Sequence, residues 1–393
     1  MVVLAGGDVV LPDRIVSAGS VILDGAEIVD VHPRASAVPA GAEAIDITGR
    51  YVVPGFIDVH VHGVEGHDTL DGGDAVRTIA QRLPRYGVTA FCPTSVACAP
   101  GALRSFCDQV RRARITGIAD AARVLPAHLE SNFINPDYRG AQPANCLRVP
   151  NAPRVEGDYS GVDLLVAISM ARADIGIITL APEIAGGIDL VRSLAGAGHR
   201  VSLGHSGADY ETAIAAIEAG ARQATHLFNR MPPVGHRSPG LAGAVLSRED
   251  IVAELICDGI HVHPAMCRLA IAAKGLEGVM AITDGTAGSG LTPGSTARLG
   301  GQPIHVRDTA AFLDDGTLAG STLTMDRAFR NIVTMFGGSP IEAAILCLTT
   351  PARELGLIGF GMIAQGAAAD LVVLDRDYRV ERTFIGGEQV YAA

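Results

Sequence analysis

Short apolar runs recur along the middle of the chain, and segments of helical periodicity fill the intervals between them. From Gly55 onward the runs are FIDVHVH (56–62), VTAFCPTS (88–95), RVLPAHLE (123–130), IGIITLAPE (175–183), RVSLGHS (200–206), QATHLF (223–228), IVAELICD (251–258) and VMAITD (279–284). Strands alternating with helices read as parallel βα units. Eight such units over roughly 250–300 residues predict a closed (β/α)8 barrel. One intervening helix is legible in detail, with Ser206 as its N-cap, Ala213, Ile214 and Ile217 on one face, and Gly220 as its stop.

The two chain ends follow a different rhythm. The first 50 residues alternate short apolar runs with turns (VVLAGGDVVLP, SVILDGAEIVDV, EAIDITG), and Asp24-Gly25 is a hairpin signal. The closing segment, GAAADLVVLDRDYRVERTFIGGEQVYAA, looks alike. The expected fold class is therefore α/β: a (β/α)8 TIM barrel over 55–354, with one small β-sheet domain built from both termini, 1–54 together with 355–393.

Composition narrows the chemistry. The 393 residues carry 31 basic and 42 acidic side chains, a formal net charge of −11, and Lys274 is the single lysine. A Walker A loop needs a Lys on the phosphates, and Schiff-base catalysis needs a Lys amine. Lys274 stands in AIAAKGLEG, before a Gly that reads as a helix C-cap, so a solvated helix end is its expected role. The acidic balance, the lack of a Lys/Arg run and only 4% aromatics argue against a nucleic acid or an anionic membrane surface as partner. Glycine, at 47 residues, is well above the ~7% of average proteins, which implies many tight strand-to-helix connections. Seven Cys form no CxxC pair, no basic region precedes the first apolar stretch, and no 18-residue apolar run occurs. A cytoplasmic globular protein is expected.

In a (β/α)8 barrel, catalytic side chains come from the C-terminal ends of the strands. Run one ends His60-Val61-His62 and run three ends His128-Leu129-Glu130. Run five ends near His205, run six holds His226, run eight ends at Asp284, and His261 closely follows run seven. His60 and His62 are two apart on a strand and so share a face. Imidazoles and a carboxylate without thiolate suit zinc or iron(II) in a catalytic site. An HxH pair alone is commonly structural; with Glu130, His205 and His226 at equivalent heights it predicts a divalent metal centre. His128 shares the face of Glu130 and is either a ligand or a support for one.

Two other motifs compete. Gly204-His205-Ser206-Gly207-Ala208 is close to a GxSxG nucleophile elbow, which would make Ser206 the nucleophile of a serine hydrolase. Its last position is Ala, however, and that reading leaves the HxH pair and Glu130 without a role. Gly288-Ser289-Gly290 and Gly359-Phe360-Gly361 lack the full dinucleotide-binding spacing and read as loops, the first placed at the mouth of the site.

PGFIDVHVHG (54–63) resembles the first-strand motif of the amidohydrolase superfamily. Within it, AHLES (127–131), GHSGA (204–208), THLFNRMPPVGHRSPG (225–240), DGIHV (258–262), ITDGTAGSG (282–290) and LAGSTLTMDRAFRN (318–331) are similar to the N-acetylglucosamine-6-phosphate deacetylase family, as are TPARELGL and GAAADLVVLD. The resemblance implies a barrel with a β-sandwich made from both ends, and a homodimer. It also implies hydrolysis of the acetamide of N-acetylglucosamine 6-phosphate, giving glucosamine 6-phosphate and acetate, by metal-activated water.

Carried over residue by residue, Glu130, His205 and His226 match the family's main metal ligands. His60 and His62 match a pair that some members use for a second metal, and Asp284 matches the catalytic acid/base. Arg237 and His261 match phosphate contacts, the Arg reaching in from the neighbouring subunit, while Asn229 and Arg230 fall where the sugar binds. Many binuclear relatives bridge their metals with a carbamylated Lys. No Lys stands at a strand end here, so Glu130 is the candidate bridge. Three departures surround the substrate: Ser131-Asn132 in place of Gly-Pro, Gln142 in place of a His that orients the acetamide, and Arg230 in place of Ala. The alternatives are an amidohydrolase of another N-acyl amino sugar or a cyclic amide, and a non-catalytic barrel scaffold.

Overall fold

All eight apolar runs form parallel strands in a computed structural model that describes residues 1–33, 39, 41–152 and 156–393. The strands are Phe56–Val61, Val88–Ser95, Ala127–Glu130, Ile175–Leu180, Arg200–Leu203, Gln223–Ala224, Val252–Ile256 and Val279–Ile282, each paired in parallel with the next. A parallel bridge between Val61 and Gly285 joins the eighth strand back to the first. At that seam Asp284 N donates to His60 O (2.9 Å) and His62 N to Gly285 O (2.7 Å). The buried Asp58 clasps it, accepting from His60 N (3.2 Å) and from Thr283 Oγ1 (2.5 Å).

The barrel interior is polar beneath the site. Thr179, Ser202, Gln223, Thr225, His128 and Glu254 are all fully buried. Buried polar groups must find partners, and these find one another: His128 Nε2 meets Thr179 Oγ1 at 2.7 Å, Thr179 meets Thr225 at 2.7 Å, and Thr225 meets Ser202 at 2.6 Å. Outside, the helices present apolar faces at helical spacing. Pro100–Thr116, for example, buries Leu103, Phe106, Cys107, Val110 and Ala113.

Two local expectations are corrected. The helix after strand five spans Tyr210–Glu218 and is capped by Asp209, whose carboxylate accepts from Thr212 N at 2.8 Å. Ser206 is not its N-cap, because residues after Leu203 first cross the barrel rim to place His205. Lys274 does end the helix Pro264–Lys274, with Gly275 beyond it at φ 70°. Its amine is not simply solvated, though: it is half-buried and donates to the Arg248 carbonyl.

The chain ends form a separate eight-stranded sheet. Leu371–Leu374 pairs antiparallel with Tyr51–Pro54, so the C-terminal strands are stitched directly onto the N-terminal ones. The first strand, Val2–Val10, shifts register around Gly7; Val2–Ala5 pair with Glu43–Asp46, and Asp8 and Val9 pair with Tyr51 and Val52. Asp24↔Glu27 closes the hairpin expected at Asp24-Gly25. This sheet has its own core, including Leu4, Val21, Ile28, Val52, Leu371 and Phe384.

One element is absent from the periodicity reading. After strand eight, Thr296–Leu299, Gln302–Arg307, Ala310–Phe312 and Leu318–Ser321 make a four-stranded antiparallel sheet inside the stretch expected to be barrel alone. Gly300-Gly301, Asp308-Thr309 and Asp315-Gly316 are the turn signals that mark it in the sequence. Its small core of Leu299, Ile304, Ala311 and Ala319 packs on Val96 beside the second barrel strand.

Arg123, in the two-residue strand Arg123–Val124 that precedes strand three, grips the terminal sheet far from the strands' C-terminal ends. Its Nε and Nη2 each donate to Asp370 at 3.0 Å, and Asp370 also accepts from Gly386 N at 2.7 Å. Asp370→Asn should lower stability by about 1.5–3 kcal/mol in urea denaturation and leave kcat unchanged. A coupled loss of kcat would show that the sheet acts on the site.

Candidate active site

The sequence-expected metal ligands converge at the C-terminal end of the barrel. Glu130 Oε1 lies 2.7 Å from His205 Nε2 and 2.9 Å from His226 Nε2, and those two nitrogens are 3.0 Å apart. Glu130 Oε2 lies 3.5 Å from His62 Nε2, which is 3.2 Å from His60 Nε2. Two donor groups result, His60/His62/Glu130 and Glu130/His205/His226, and they share Glu130. Asp284 Oδ1 sits at 3.3 Å from His62 Nε2 and 3.4 Å from His60 Nε2.

The backbone at these positions is unusual. His205, His226 and Asp284 have φ of 48°, 30° and 48°, and Phe228 and Arg230 have 75° and 52°. Non-Gly residues rarely adopt positive φ, at a cost of about 1–2 kcal/mol each. His205, His226 and Asp284 each stand two residues past a short strand, where the chain must turn at once. Neighbours hold these turns in place. Glu183 accepts from Ser206 Oγ (2.7 Å), Gly207 N (2.6 Å) and Asn135 Nδ2 (2.9 Å), and Ser321 N donates to Asp284 O (2.7 Å). Ser206 is thus fully buried and engaged with Glu183, not presented as a nucleophile.

The donor set fits a divalent cation. His205 Nδ1 bonds the Tyr138 carbonyl at 2.8 Å and His60 Nδ1 bonds Glu254 Oε2 at 2.8 Å. Occupying Nδ1 in this way turns the Nε2 lone pairs toward the site. His128 belongs to a third close group with His60 and Glu254, but its nitrogens meet Val59 O (3.1 Å) and Thr179 Oγ1 (2.7 Å). Burial, with His60 alongside, pushes it down to about 4. That geometry suits a support for the ligands.

The buried carboxylates and imidazoles perturb one another strongly. Burial alone would raise the Glu130 carboxyl, but His205, then His226 and His62, hold it well below its ordinary value. Asp284, also opposed by burial, is held low by His60 and His62. Burial disfavours the charged imidazoles, yet Glu254 and Asp284 lift His60 to about 9, and Asp284 and Glu130 lift His62 to about 10.

A cleft of about 410 Å³ opens above this cluster. Gln142, Asn229, Arg230 and His261 line it, facing Leu299, Leu318 and Gly320 of the inserted sheet. Gln142 has a partner in place already: its Nε2 donates to Glu130 Oε2 and its Oε1 accepts from Ala97 N (2.7 Å). His261 Nδ1 meets Asp258 Oδ2 at 2.6 Å, while its buried Nε2 has no protein partner. Arg230 lies across Gly140, where a Cβ would stand 2.6 Å from Arg230 Nε. Two expected features fall elsewhere. Arg237 is exposed and outside the cleft of its own chain. Gly288-Ser289-Gly290, expected at the mouth, instead turns away, with Gly290 against Tyr86 and Glu65.

Sequence reading overlooked Glu254 and Glu183. Glu254 is the lone charge within the buried strand Val252–Ile256, and that interruption was the available signal. Glu183, at the end of run four, carried no comparable mark.

Comparison with known proteins places this geometry. A sequence model described as Amidohydrolase family matches residues 171–390. The N-acetylglucosamine-6-phosphate deacetylase of Bacillus subtilis (strain 168) is 33% identical over 384 residues, covering 96% of this chain and 94% of its own. The N-acetylgalactosamine-6-phosphate deacetylase of Escherichia coli O157:H7 is 33% identical over 361 residues, covering 90% and 93%. A mutant N-acetyl-D-glucosamine-6-phosphate deacetylase from Mycobacterium smegmatis, solved in complex with N-acetyl-D-glucosamine-6-phosphate, matches at 31% identity. Its TM-score is 0.88, with 100% of this chain and 99% of that chain covered.

The raised imidazoles make a signed prediction about pH. His60 and His62 contribute stability in full below about 6.5, their ordinary value, and lose it as pH rises through about 9 and 10. The Tm of metal-free protein should therefore fall between pH 6.5 and 10, and saturating zinc should flatten that fall. A metal-free Tm that is level across the window would contradict the charge balance.

Proposed function

The chain belongs to the N-acetylglucosamine-6-phosphate deacetylase family of amidohydrolases, and we propose that it hydrolyses the acetamide of N-acetylglucosamine 6-phosphate to glucosamine 6-phosphate and acetate. One observation carries this reading: Asp284 stands beside two donor groups joined through Glu130, at the base of the cleft.

Glu130, His205 and His226 would hold one divalent ion, zinc or iron(II), and His60 and His62 a second, with Glu130 between them. A bound ion supplies Lewis acidity, lowering the pKa of water from about 15.7 towards ~7 and polarising a carbonyl oxygen. Asp284 takes the proton from the attacking water and returns it to the nitrogen as the C–N bond breaks. Gln142 holds Glu130 from the cleft side. His261, through its free Nε2, and Arg237, from the neighbouring subunit of a homodimer, bind the phosphate. Their contacts use remote binding energy to set the amide in place. Asn229 and Arg230 face the sugar. Exposure of Arg237 outside its own cleft supports the dimer, and seven free thiols support a cytoplasmic location. No helix among the described residues is long and apolar enough to cross a membrane.

A second reading has specific support. The Escherichia coli relative that acts on the galactosamine epimer is as similar as the Bacillus one, and the departures Gln142 and Arg230 both line the cleft. A hydrolysis panel of both N-acetylated hexosamines, with and without the 6-phosphate, decides between them. The glucosamine phosphate should give the highest kcat/KM. Preference for the galactosamine phosphate would move the assignment, and indifference to the phosphate would overturn it. Asp284→Asn should lower kcat by about 100- to 10,000-fold with metal retained, and full activity would remove Asp284 from the reaction. Arg237→Ala should raise KM for the phosphorylated sugar sharply, whereas an unchanged KM would favour a substrate without phosphate.

A further inference from the structure

Below the ligands, a chain of hydrogen-bonded side chains descends through the barrel to its floor. Glu254 is fully buried; its Oε2 accepts from His60 Nδ1 (2.8 Å) and from the His226 backbone N (3.2 Å). Its Oε1 accepts from Gln223 Nε2 (2.5 Å), and Gln223, also fully buried, accepts at Oε1 from Arg200 Nε (2.6 Å). Arg200 Nη2 then donates to Glu354 Oε2 (2.5 Å) and to Arg222 O (3.0 Å). Glu354 ends the helix Thr350–Glu354, and with Arg200 it lines a floor cavity of about 230 Å³ beside Pro126, Gly176 and Gly198, at the strands' N-terminal ends.

We infer that Gln223 and Arg200 are positioning residues for the metal centre, setting the Glu254 carboxylate and through it the aim of His60 Nε2. The directions of the bonds make the case. Arg200 has only donors, so it fixes which end of the Gln223 amide faces it. A flipped Gln223 would set N–H groups against the guanidinium and a carbonyl against the carboxylate. The amide nitrogen must therefore face Glu254, and one carboxylate oxygen is held there. The other is left for His60 Nδ1, which keeps the His60 Nε2 lone pair toward the site. Glu354 in turn anchors Arg200 where the floor cavity opens. A barrel packed only for stability would fill this layer with branched apolar side chains. Here the fully buried layer is spent on an oriented polar chain that ends on a ligand. The other half of the centre is aimed independently, since His205 is set by the Tyr138 carbonyl and by the loop that Glu183 holds. His226 meets Glu254 only through its backbone.

This inference rests on the metal-dependent reading given above, and the test separates the two. Equilibrium dialysis of the full chain against zinc would be compared for wild type, Gln223→Met and Glu354→Gln, alongside the Tm of each metal-free protein. Gln223→Met should weaken at least one ion by about 10- to 100-fold, and Glu354→Gln should shift it in the same direction by less. A merely structural role would lower the metal-free Tm and leave zinc affinity unchanged, and that result overturns the inference. Should Gln223→Met not fold, Glu354→Gln alone decides, because it alters only the floor end of the chain; wild-type zinc affinity there also overturns the inference. Wild-type protein that binds no zinc would instead overturn the metal-dependent reading, and the inference with it.

Discussion

The structure is organised around one buried carboxylate with more partners than it has oxygens. Glu130 is 3% exposed, and its two oxygens face His205, His226, His62 and Gln142. A carboxylate in such surroundings is costly unless positive charge is supplied at once. A divalent cation held among the four surrounding imidazoles would supply it. The chain places them at the C-terminal ends of strands one, five and six, around the Glu130 that ends strand three. Remove that requirement, and the polar strand ends have no reason to meet.

Meeting it imposes strain that other parts of the chain absorb. Backbone turns at positive φ cluster where ligands must follow short strands immediately. Ties from Glu183 and from Ser321 of the inserted sheet hold those turns. The inserted sheet therefore does two jobs, fixing the Asp284 backbone and forming one wall of the cleft. Charge follows the same division of scale. The chain as a whole carries −11, yet its cleft presents His261 and Arg230 to an anion, so local placement and not net charge governs what binds there.

Much of this was legible in the residues because barrel strands carry their own signal. Runs buried on both faces read as continuous apolar stretches, and candidate ligands at strand ends interrupt them at predictable places. His60, His62, Glu130, His205, His226 and Asp284 stand out that way, and the structure brings them together. Residues acting at one remove left weaker traces. Glu254 was a single charge within VAELI, and Gln223 an amide at the start of a two-residue strand. The four-stranded insert was hidden because its strands are short and its turns resemble ordinary loops. Ser206 misled because its position suits a helix cap, while tertiary demand moved the helix start to Asp209.

Anomalous diffraction at the metal edge, from crystals grown with the metal present, tests the central role of Glu130 most directly. The account predicts at least one peak at direct-ligand distance, about 2.0–2.2 Å, from a Glu130 oxygen. Metal peaks of which none touches Glu130 would contradict it.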